Sequence, residues 1–92
     1  MAGTNGYIGQ LQGPFSANAE IMDLIVADAS KQVNYLIKLG IQTKVRNEVV
    51  INNVAFEIGK TGILEFGDGA QITSIKFSQN VGKETIIDFI YV

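Results

Sequence analysis

Residues 48–59, EVVINNVAFEIG, hold the pattern that decides the fold class. Two runs rich in β-branched and aromatic residues lie on either side of the pair Asn52 and Asn53. Asparagine tolerates a positive φ, which the tight turns favoured in β-hairpins require. The stretch therefore predicts two antiparallel strands that are joined by a two-residue turn.

Further strand patterns lie on both sides of this hairpin. Before it, VNYLIKLGIQT (33–43) alternates and places Val33, Tyr35, Ile37, Leu39 and Ile41 on one face. After it come ILEF (63–66), the turn GDG (67–69), AQITSIKF (70–77) and ETIIDFIYV (84–92). The apolar character of the last run predicts a central strand or an interface strand. Short strands at this spacing indicate a β-sandwich or a small barrel.

Residues 16–32, SANAEIMDLIVADASKQ, fit two structures. Ser16 could cap a helix in which Ile21, Leu24, Ile25 and Ala29 form an apolar stripe. The same residues could form a strand, EIMDLIVAD, followed by a turn. Frequent alanine and absent glycine favour the helix slightly on composition alone.

Residues 1–15 are rich in Gly, Asn and Gln and hold few apolar side chains. We predict that they form an N-terminal arm or an edge strand, and that residues 16–92 form a single domain. Pro14 suits an edge or a turn because proline cannot donate a hydrogen bond to a strand ladder.

Composition narrows the function classes. The chain has 92 residues, of which 47% are hydrophobic and 17% charged. That charged fraction is low for a free monomer and favours apolar surface that is buried against other chains, with a compact domain whose surface is rich in Ser, Thr, Asn and Gln as the alternative. A net charge of −2 without a basic run argues against nucleic-acid binding. No apolar run is long enough to span a membrane, and the lack of cysteine indicates synthesis in the cytoplasm.

The residue types that usually carry catalysis are missing. Histidine and cysteine are both absent, which removes the usual general base, metal ligands and thiol nucleophile. The acidic residues are spread singly. Glu57 and Glu65 would approach each other only if strands 54–58 and 62–66 paired, and Asp68 suits a turn better than a metal site. We predict no catalytic residue, no metal and no cofactor.

Residues 59–62, GKTG, spell the end of a phosphate-binding loop. That loop requires a glycine five residues before Gly59, where this chain has Val54, and a helix after it, where this chain has a strand pattern. We therefore predict the tip of a hairpin. Gly59 and Gly62 would adopt conformations that other residues avoid, and Lys60 and Thr61 would be exposed.

Five stretches in the last 55 or so residues have a recognisable pattern: 40–43, 51–53, 59–63 with Glu65, 72–75 with Phe77, and 86–92. On these positions the chain resembles a segment of virion proteins from tailed phages and prophages of Gram-positive bacteria. Val45-Arg46-Asn47 replaces the Pro-Gly usual in the first loop, and Val92 replaces the usual terminal acid. The resemblance implies a β-sandwich module of tails and baseplates without enzyme activity, and it favours a strand over residues 19–27.

Together these observations predict an all-β fold, a small antiparallel β-sandwich with room for one short N-terminal helix, with an α+β fold as the alternative. The expected function is that of a phage structural protein that is made in the host cytoplasm and assembles in, or decorates, the tail, baseplate or capsid of the virion. Its partners would be copies of itself and other virion proteins. The alternative is a carbohydrate-binding module for a host glycan. The candidate contact residues, for which core packing is an equal alternative, are Tyr7, Ile8, Leu11, Phe15, Phe89 and Tyr91.

Overall fold

The computed structural model describes residues 6–59, 62–67 and 69–92. Its described strands form two antiparallel sheets, one with four strands in the order β1-β7-β2-β5 and one with three in the order β4-β3-β6. This confirms the expected small β-rich fold with one short helix. The elements are β1 (Tyr7–Gln12), α1 (Ile21–Ala29), β2 (Leu36–Gln42), β3 (Asn47–Ile51), β4 (Val54–Ile58), β5 (Ile63–Phe66), β6 (Ile75–Phe77) and β7 (Ile86–Tyr91).

The hairpin of β3 and β4 forms as predicted. Asn52 and Asn53 have φ values of 50° and 66°, as a primed two-residue turn requires. The side chain of Asn52 also binds the segment that leads into β6. Its Nδ2 donates to the carbonyl of Gln71 at 2.9 Å, and its Oδ1 accepts from the backbone of Thr73 at 2.9 Å. The turn is therefore attached to the third strand of its own sheet.

Helix α1 covers residues 21–29, so the strand expected over 19–27 from the resemblance is wrong and the helix favoured slightly by composition is confirmed. Glu20, rather than Ser16, is the N-cap, and its carboxylate accepts from the backbone N of Met22 at 3.3 Å. The same carboxylate accepts from Ser74 Oγ at 2.6 Å and from the backbone N of Ile75 at 2.7 Å. Because Glu20 attaches the helix to β6, a contact distant in sequence selects the helix over the strand.

The buried face of α1 contains Met22 in place of Leu24 of the predicted stripe. Ile21, Met22 and Ile25 are buried, whereas Leu24 is exposed. The helix ends at Ser30, which has a φ of 56° and donates its backbone N–H to the carbonyl of Val26. No helix within the described residues is long and apolar enough to cross a membrane.

The alternation predicted from Val33 onward breaks at Ile37. Leu36 pairs with Tyr91 and Lys38 pairs with Ile90, so Ile37 is the extra residue of a β-bulge. Leu36 is fully buried as a result, while Ile37 is only half-buried. The bulge shifts the inward face by one residue.

The strand pattern of residues 70–77 is also interrupted, so β6 has only three residues. Ile72 forms an isolated bridge with Leu36 of the other sheet, with backbone hydrogen bonds of 2.9 and 3.0 Å in both directions. Ile72, Ile75 and Phe77 are all buried, so the expected regular alternation across 70–77 does not occur.

One hydrophobic core receives side chains from both sheets and from α1. The rings of Phe15 and Phe77 stack at 5.9 Å between centroids, although they come from distant parts of the chain. The buried hydrophobic residues of this core are Phe15, Ile21, Met22, Ile25, Leu36, Leu39, Ile41, Val49, Ile51, Ile58, Ile72, Ile75, Phe77, Val81, Ile87, Phe89 and Tyr91.

Candidate assembly surface

The GKTG segment connects the two sheets and is not the tip of a hairpin. It follows β4 of the three-stranded sheet and precedes β5 of the four-stranded sheet. Neither Gly59 nor Gly62 has a positive φ, so the predicted reason for these glycines is wrong. Gly62 is instead required by space, because a Cβ there would lie 2.7 Å from the carbonyl oxygen of Gly59. Lys60 and Thr61 lie outside the described residues.

The two glutamates beside this segment do not form a carboxylate pair. Glu57 belongs to the three-stranded sheet and Glu65 to the four-stranded one, so the strand pairing that would bring them together is absent. Glu57 instead accepts hydrogen bonds from the guanidinium of Arg46, with Nε at 2.9 Å. Its role is that of an exposed surface ion pair.

The turn after β5 contains Gly69, whose φ of +91° agrees with the predicted turn. Asp68 lies outside the described residues. Among the residues that are described, no three acidic side chains lie together as a metal site would require.

The four-stranded sheet has one face on the core and one facing away, which we call the outer face. The strand register aligns its residues in three rows across the sheet. The rows are Ile8, Ile90 and Lys38; Gln10, Asp88, Gly40 and Glu65; and Gln12, Ile86, Gln42 and Ile63.

A shallow depression, which we call the outer groove, crosses the middle of this face. Its volume is about 410 Å³, and in the strand register its lining residues lie on all sides of Gly40, which we take as its centre. A Cβ at Gly40 would meet no atom within 4 Å, so the missing side chain leaves open space above the sheet. Around this centre stand the polar side chains of Lys38, Gln42, Glu65 and Asp88.

Apolar side chains flank the groove at both edges of the sheet. Ile8 on β1 is 85% exposed, and Ile63 on β5 is 63% exposed. These two strands are the edges of the four-stranded sheet. Isoleucine is usually buried, so two exposed isoleucines at opposite margins of one face indicate a surface for a partner.

The candidate contact residues divide between the core and this surface. Phe15, Phe89 and Tyr91 are buried within the chain, so their side chains are not accessible to a partner. Leu11 is partly buried and packs against the core. These positions follow from strand geometry, because Leu11, Phe89 and Tyr91 lie on the inward face of their strands.

Tyr7 and Ile8 are the candidates that remain accessible. Tyr7 is half exposed, but its ring stacks on that of Tyr91 at 5.3 Å between centroids. The ammonium of Lys31 lies 3.7 Å from the centre of the same ring. Ile8 has the largest exposed fraction of the chain's exposed large hydrophobic residues, among those described.

Sequence reasoning missed Gly40 and Ile63. A glycine within a strand pattern often marks a close approach or a gap, so Gly40 carried a usable signal. Ile63 could not be assigned to a face from ILEF, because a four-residue run with three apolar residues does not show which side is buried.

Comparison with known proteins gives no similarity to set beside this geometry: no family model, no curated protein and no solved structure matches the chain.

Proposed function

We propose that this chain is a structural protein of a phage virion, which assembles with copies of itself or decorates the tail, baseplate or capsid. The observation that carries the proposal is the outer face of the four-stranded sheet. It exposes an isoleucine at each edge around a groove centred on Gly40. This arrangement suits contact with another protein surface.

The free energy available from such contact is substantial. Burying one isoleucine side chain that was exposed contributes about 1.5–3 kcal/mol. Ile8 and Ile63 lie at opposite edges of the sheet, so a partner that covers both must lie across the whole face.

The charges of the outer face favour a protein partner over a nucleic acid. Lys38 is its one cationic side chain in the aligned rows, against the carboxylates of Glu65 and Asp88. Gln10 Nε2 donates to Asp88 Oδ1 at 2.7 Å, so two polar side chains of this face are already paired with each other. Binding to a phosphate backbone would require several cations.

The choice of a virion comes from the resemblance of residues 40–92 to phage structural segments. On this proposal the chain is made in the host cytoplasm and becomes part of the particle, where it contacts itself and other virion proteins. It has no catalytic role.

Mass spectrometry of purified particles tests the proposal. We expect peptides of this chain, in amounts typical of structural proteins, in virions of the phage or induced prophage that encodes it. A replication protein of the same phage, measured in the same preparation, gives the level of contamination. Abundance no higher than that control would overturn the proposal.

The outer groove also supports a second candidate, a carbohydrate-binding module for a host glycan. Gln42, Glu65 and Asp88 surround the groove, and amide and carboxylate groups can bind sugar hydroxyls. An aromatic platform is less well provided, because Tyr91 is buried and Tyr7 is stacked against it.

A glycan array compares the natural chain with Gly40→Leu, which places an apolar side chain in the groove where a Cβ would meet no atom within 4 Å. Binding to one sugar class that Gly40→Leu abolishes would favour the carbohydrate function. Equal signals from both proteins would exclude the groove as the sugar site.

A further inference from the structure

We infer that the free edge of β1 pairs with β1 of a second copy of this chain around a two-fold axis, and so joins two four-stranded sheets into one. The inference deepens the proposed function by naming the self-contact, and it rests on that proposal only for its biological role. The argument depends on the direction of backbone groups, on the side chains of the edge and on symmetry.

The first step is that β1 is an edge strand with one free side. Among the described residues it pairs with β7 alone, from Tyr7 opposite Tyr91 to Gln12 opposite Ile86. The same register places Gly13 opposite Thr85, and the backbone N of Gly13 donates to the carbonyl of Thr85 at 2.9 Å.

The second step assigns the direction of each backbone group. In an antiparallel ladder, hydrogen-bonded pairs alternate with pairs that are not hydrogen-bonded. Because Gly13 bonds to Thr85, the residues that bond to β7 are Tyr7, Gly9 and Leu11. The N–H and C=O groups of Ile8, Gln10 and Gln12 therefore point away from β7, toward the free side. They offer a regular ladder to an incoming strand.

The third step is that this edge lacks the features that usually prevent pairing. Soluble proteins protect their edges with charges, proline or bulges. From Tyr7 to Gln12, β1 has no charged residue, no proline and no bulge. The other edge strands each carry a charge: β4 has Glu57, β5 has Glu65 and β6 has Lys76.

The fourth step identifies the occupant as a second copy. Two antiparallel copies of one strand pair symmetrically, so a single edge can supply both sides of a two-fold interface. An uncharged strand also avoids the repulsion between like charges that self-pairing would otherwise cause.

By the same alternation the backbone groups of Gly6 also point away from β7. With Gly6 counted, the two-fold axis that pairs the most groups passes through Gly9, because an axis through Gln10 would place Gly6 opposite Pro14, which has no N–H. It places Ile8 opposite Gln10 of the second copy, and Gln12 opposite Gly6 of the second copy. Even-numbered residues then pair with even-numbered residues, so the outer faces of both copies lie on the same side. Part of the exposed surface of Ile8 becomes covered.

The edge is only six residues long, so the dimer should be weak on its own. Stable interfaces usually bury about 1,200–2,000 Å², and a single strand pair buries less. We therefore expect a monomer–dimer equilibrium that becomes visible in concentrated solution and that many copies in a particle would reinforce.

The main test is light scattering of the full chain and of Gln10→Pro over a range of concentrations. Proline removes the N–H of residue 10, which points away from β7, and so spares the ladder within the monomer. Gln10→Ala is the matched control, because it loses the same side-chain bond to Asp88 but keeps the N–H.

We expect the mass of the natural chain and of Gln10→Ala to rise from 10.0 kDa toward twice that value. Gln10→Pro should remain at 10.0 kDa with an unchanged circular dichroism spectrum. A natural chain that stays monomeric throughout, or a Gln10→Pro variant that dimerises equally well, would overturn the inference. The second result would mean that copies meet through another surface.

Disulfide cross-linking provides a test that does not depend on the proline variant. The chain has no cysteine, so Ile8→Cys and Gln10→Cys each introduce a single thiol at an exposed position. With the axis at Gly9, a mixture of the two variants should cross-link to each other more strongly than either does to itself. Dominant self-linking of one variant would overturn the Gly9 axis, and no cross-link at all would overturn the edge pairing.

These outcomes are separable from those of the virion experiment. A chain found in particles but monomeric in solution and unlinked on oxidation would overturn the edge pairing alone. A chain that forms the dimer but is absent from particles would overturn the proposed function alone.

Discussion

The outward surfaces of the two sheets carry different chemistry, although both sheets cover the same core. On the three-stranded sheet, Glu48 lies directly opposite Glu57, and each has a partner: Ser78 Oγ donates to Glu48 at 2.7 Å, and Arg46 pairs with Glu57. On the four-stranded sheet, Ile8 and Ile63 are exposed at the edges of the outer face. The first surface pairs both of its glutamates, whereas the second leaves two isoleucines exposed to water.

This difference indicates which sheet meets a partner. A face whose charges are already paired gains little from contact, because exposed ion pairs contribute little and desolvation costs free energy. A face with exposed isoleucines gains from every apolar group that it buries. This supports the proposal that the assembly surface is the outer face of the four-stranded sheet.

The largest expected effect is a difference in stability between a substitution on the core side of the four-stranded sheet and one on its outer face. Phe89→Ala should lower the free energy of unfolding by about 3–5 kcal/mol, because it removes a buried ring from the core. Ile8→Ala should lower it by less than about 1 kcal/mol, because the side chain is already exposed. Urea denaturation measures both values. A large loss for Ile8→Ala would mean that the outer face supports the fold, and the comparison between the sheets would fail.

The next largest effect on stability concerns the hydrogen bonds that attach the turn of the β3–β4 hairpin to the segment before β6. Asn52→Gly keeps the positive φ of the turn but loses the side-chain bonds to the segment before β6, so we expect a cost of about 1–3 kcal/mol. Asn53→Gly changes a turn residue of the same conformation and should be close to neutral. Thermal unfolding of the two variants side by side gives the difference. Equal losses of stability in the two variants would show that the turn conformation, and not the side-chain bonds of Asn52, stabilises this sheet.

Two fully buried threonines should respond in opposite directions to the same substitution. Thr43 Oγ1 accepts from Asn47 Nδ2 at 2.8 Å and donates to the carbonyl of Val45 at 2.9 Å. Thr43→Val should therefore cost about 1–3 kcal/mol, since it leaves Asn47 without one acceptor.

Thr85 Oγ1 is also buried but has no hydrogen-bond partner among the described residues. Thr85→Val removes this unsatisfied hydroxyl at almost constant volume and should stabilise the fold by about 1 kcal/mol. Chemical denaturation of both valine variants measures the difference. If Thr85→Val destabilised the fold as much as Thr43→Val does, the predicted difference between the two threonines would be wrong.

The smallest effect on stability is expected for an ion pair on the outward surface of the three-stranded sheet. The side chains of Arg46 and Glu57 are 74% and 60% exposed, so their ion pair should contribute only about 0.2–1 kcal/mol. Arg46→Ala should reduce stability by that amount at low salt and by less at high salt, because salt screens the pair. The same variant should leave the concentration dependence of the mass unchanged. A change in association would place a contact on this sheet as well.

Much of the fold was predictable from local patterns. The hairpin around Asn52 and Asn53, the strand ILEF and the central position of ETIIDFIYV all follow from alternation, turn chemistry and apolar content, and the structure confirms them. The helix at 21–29 was less predictable, because its selection depends on Glu20 bonding to Ser74 and Ile75 more than fifty residues away.

The candidate surface was predictable only in part. Ile8 was among the candidate contacts, but Phe15, Phe89 and Tyr91 belong to the core. An apolar residue in a strand suits an interior and an interface equally well, and sequence alone does not show which face of a sheet is covered. The register across β1, β7, β2 and β5 decides it.

The sequence by itself determined where most of the strands lie, which residues turn the chain at Asn52 and Asn53, and that the catalytic residue types His and Cys are missing. Those properties are local or compositional. Only the tertiary structure decided that β4 and β5 belong to different sheets, that a bulge at Ile37 shifts the buried face, and that β1 leaves an uncharged edge free. Strand pairing joins residues that are far apart along the chain, so it depends on the burial available to the whole core and not on any one segment.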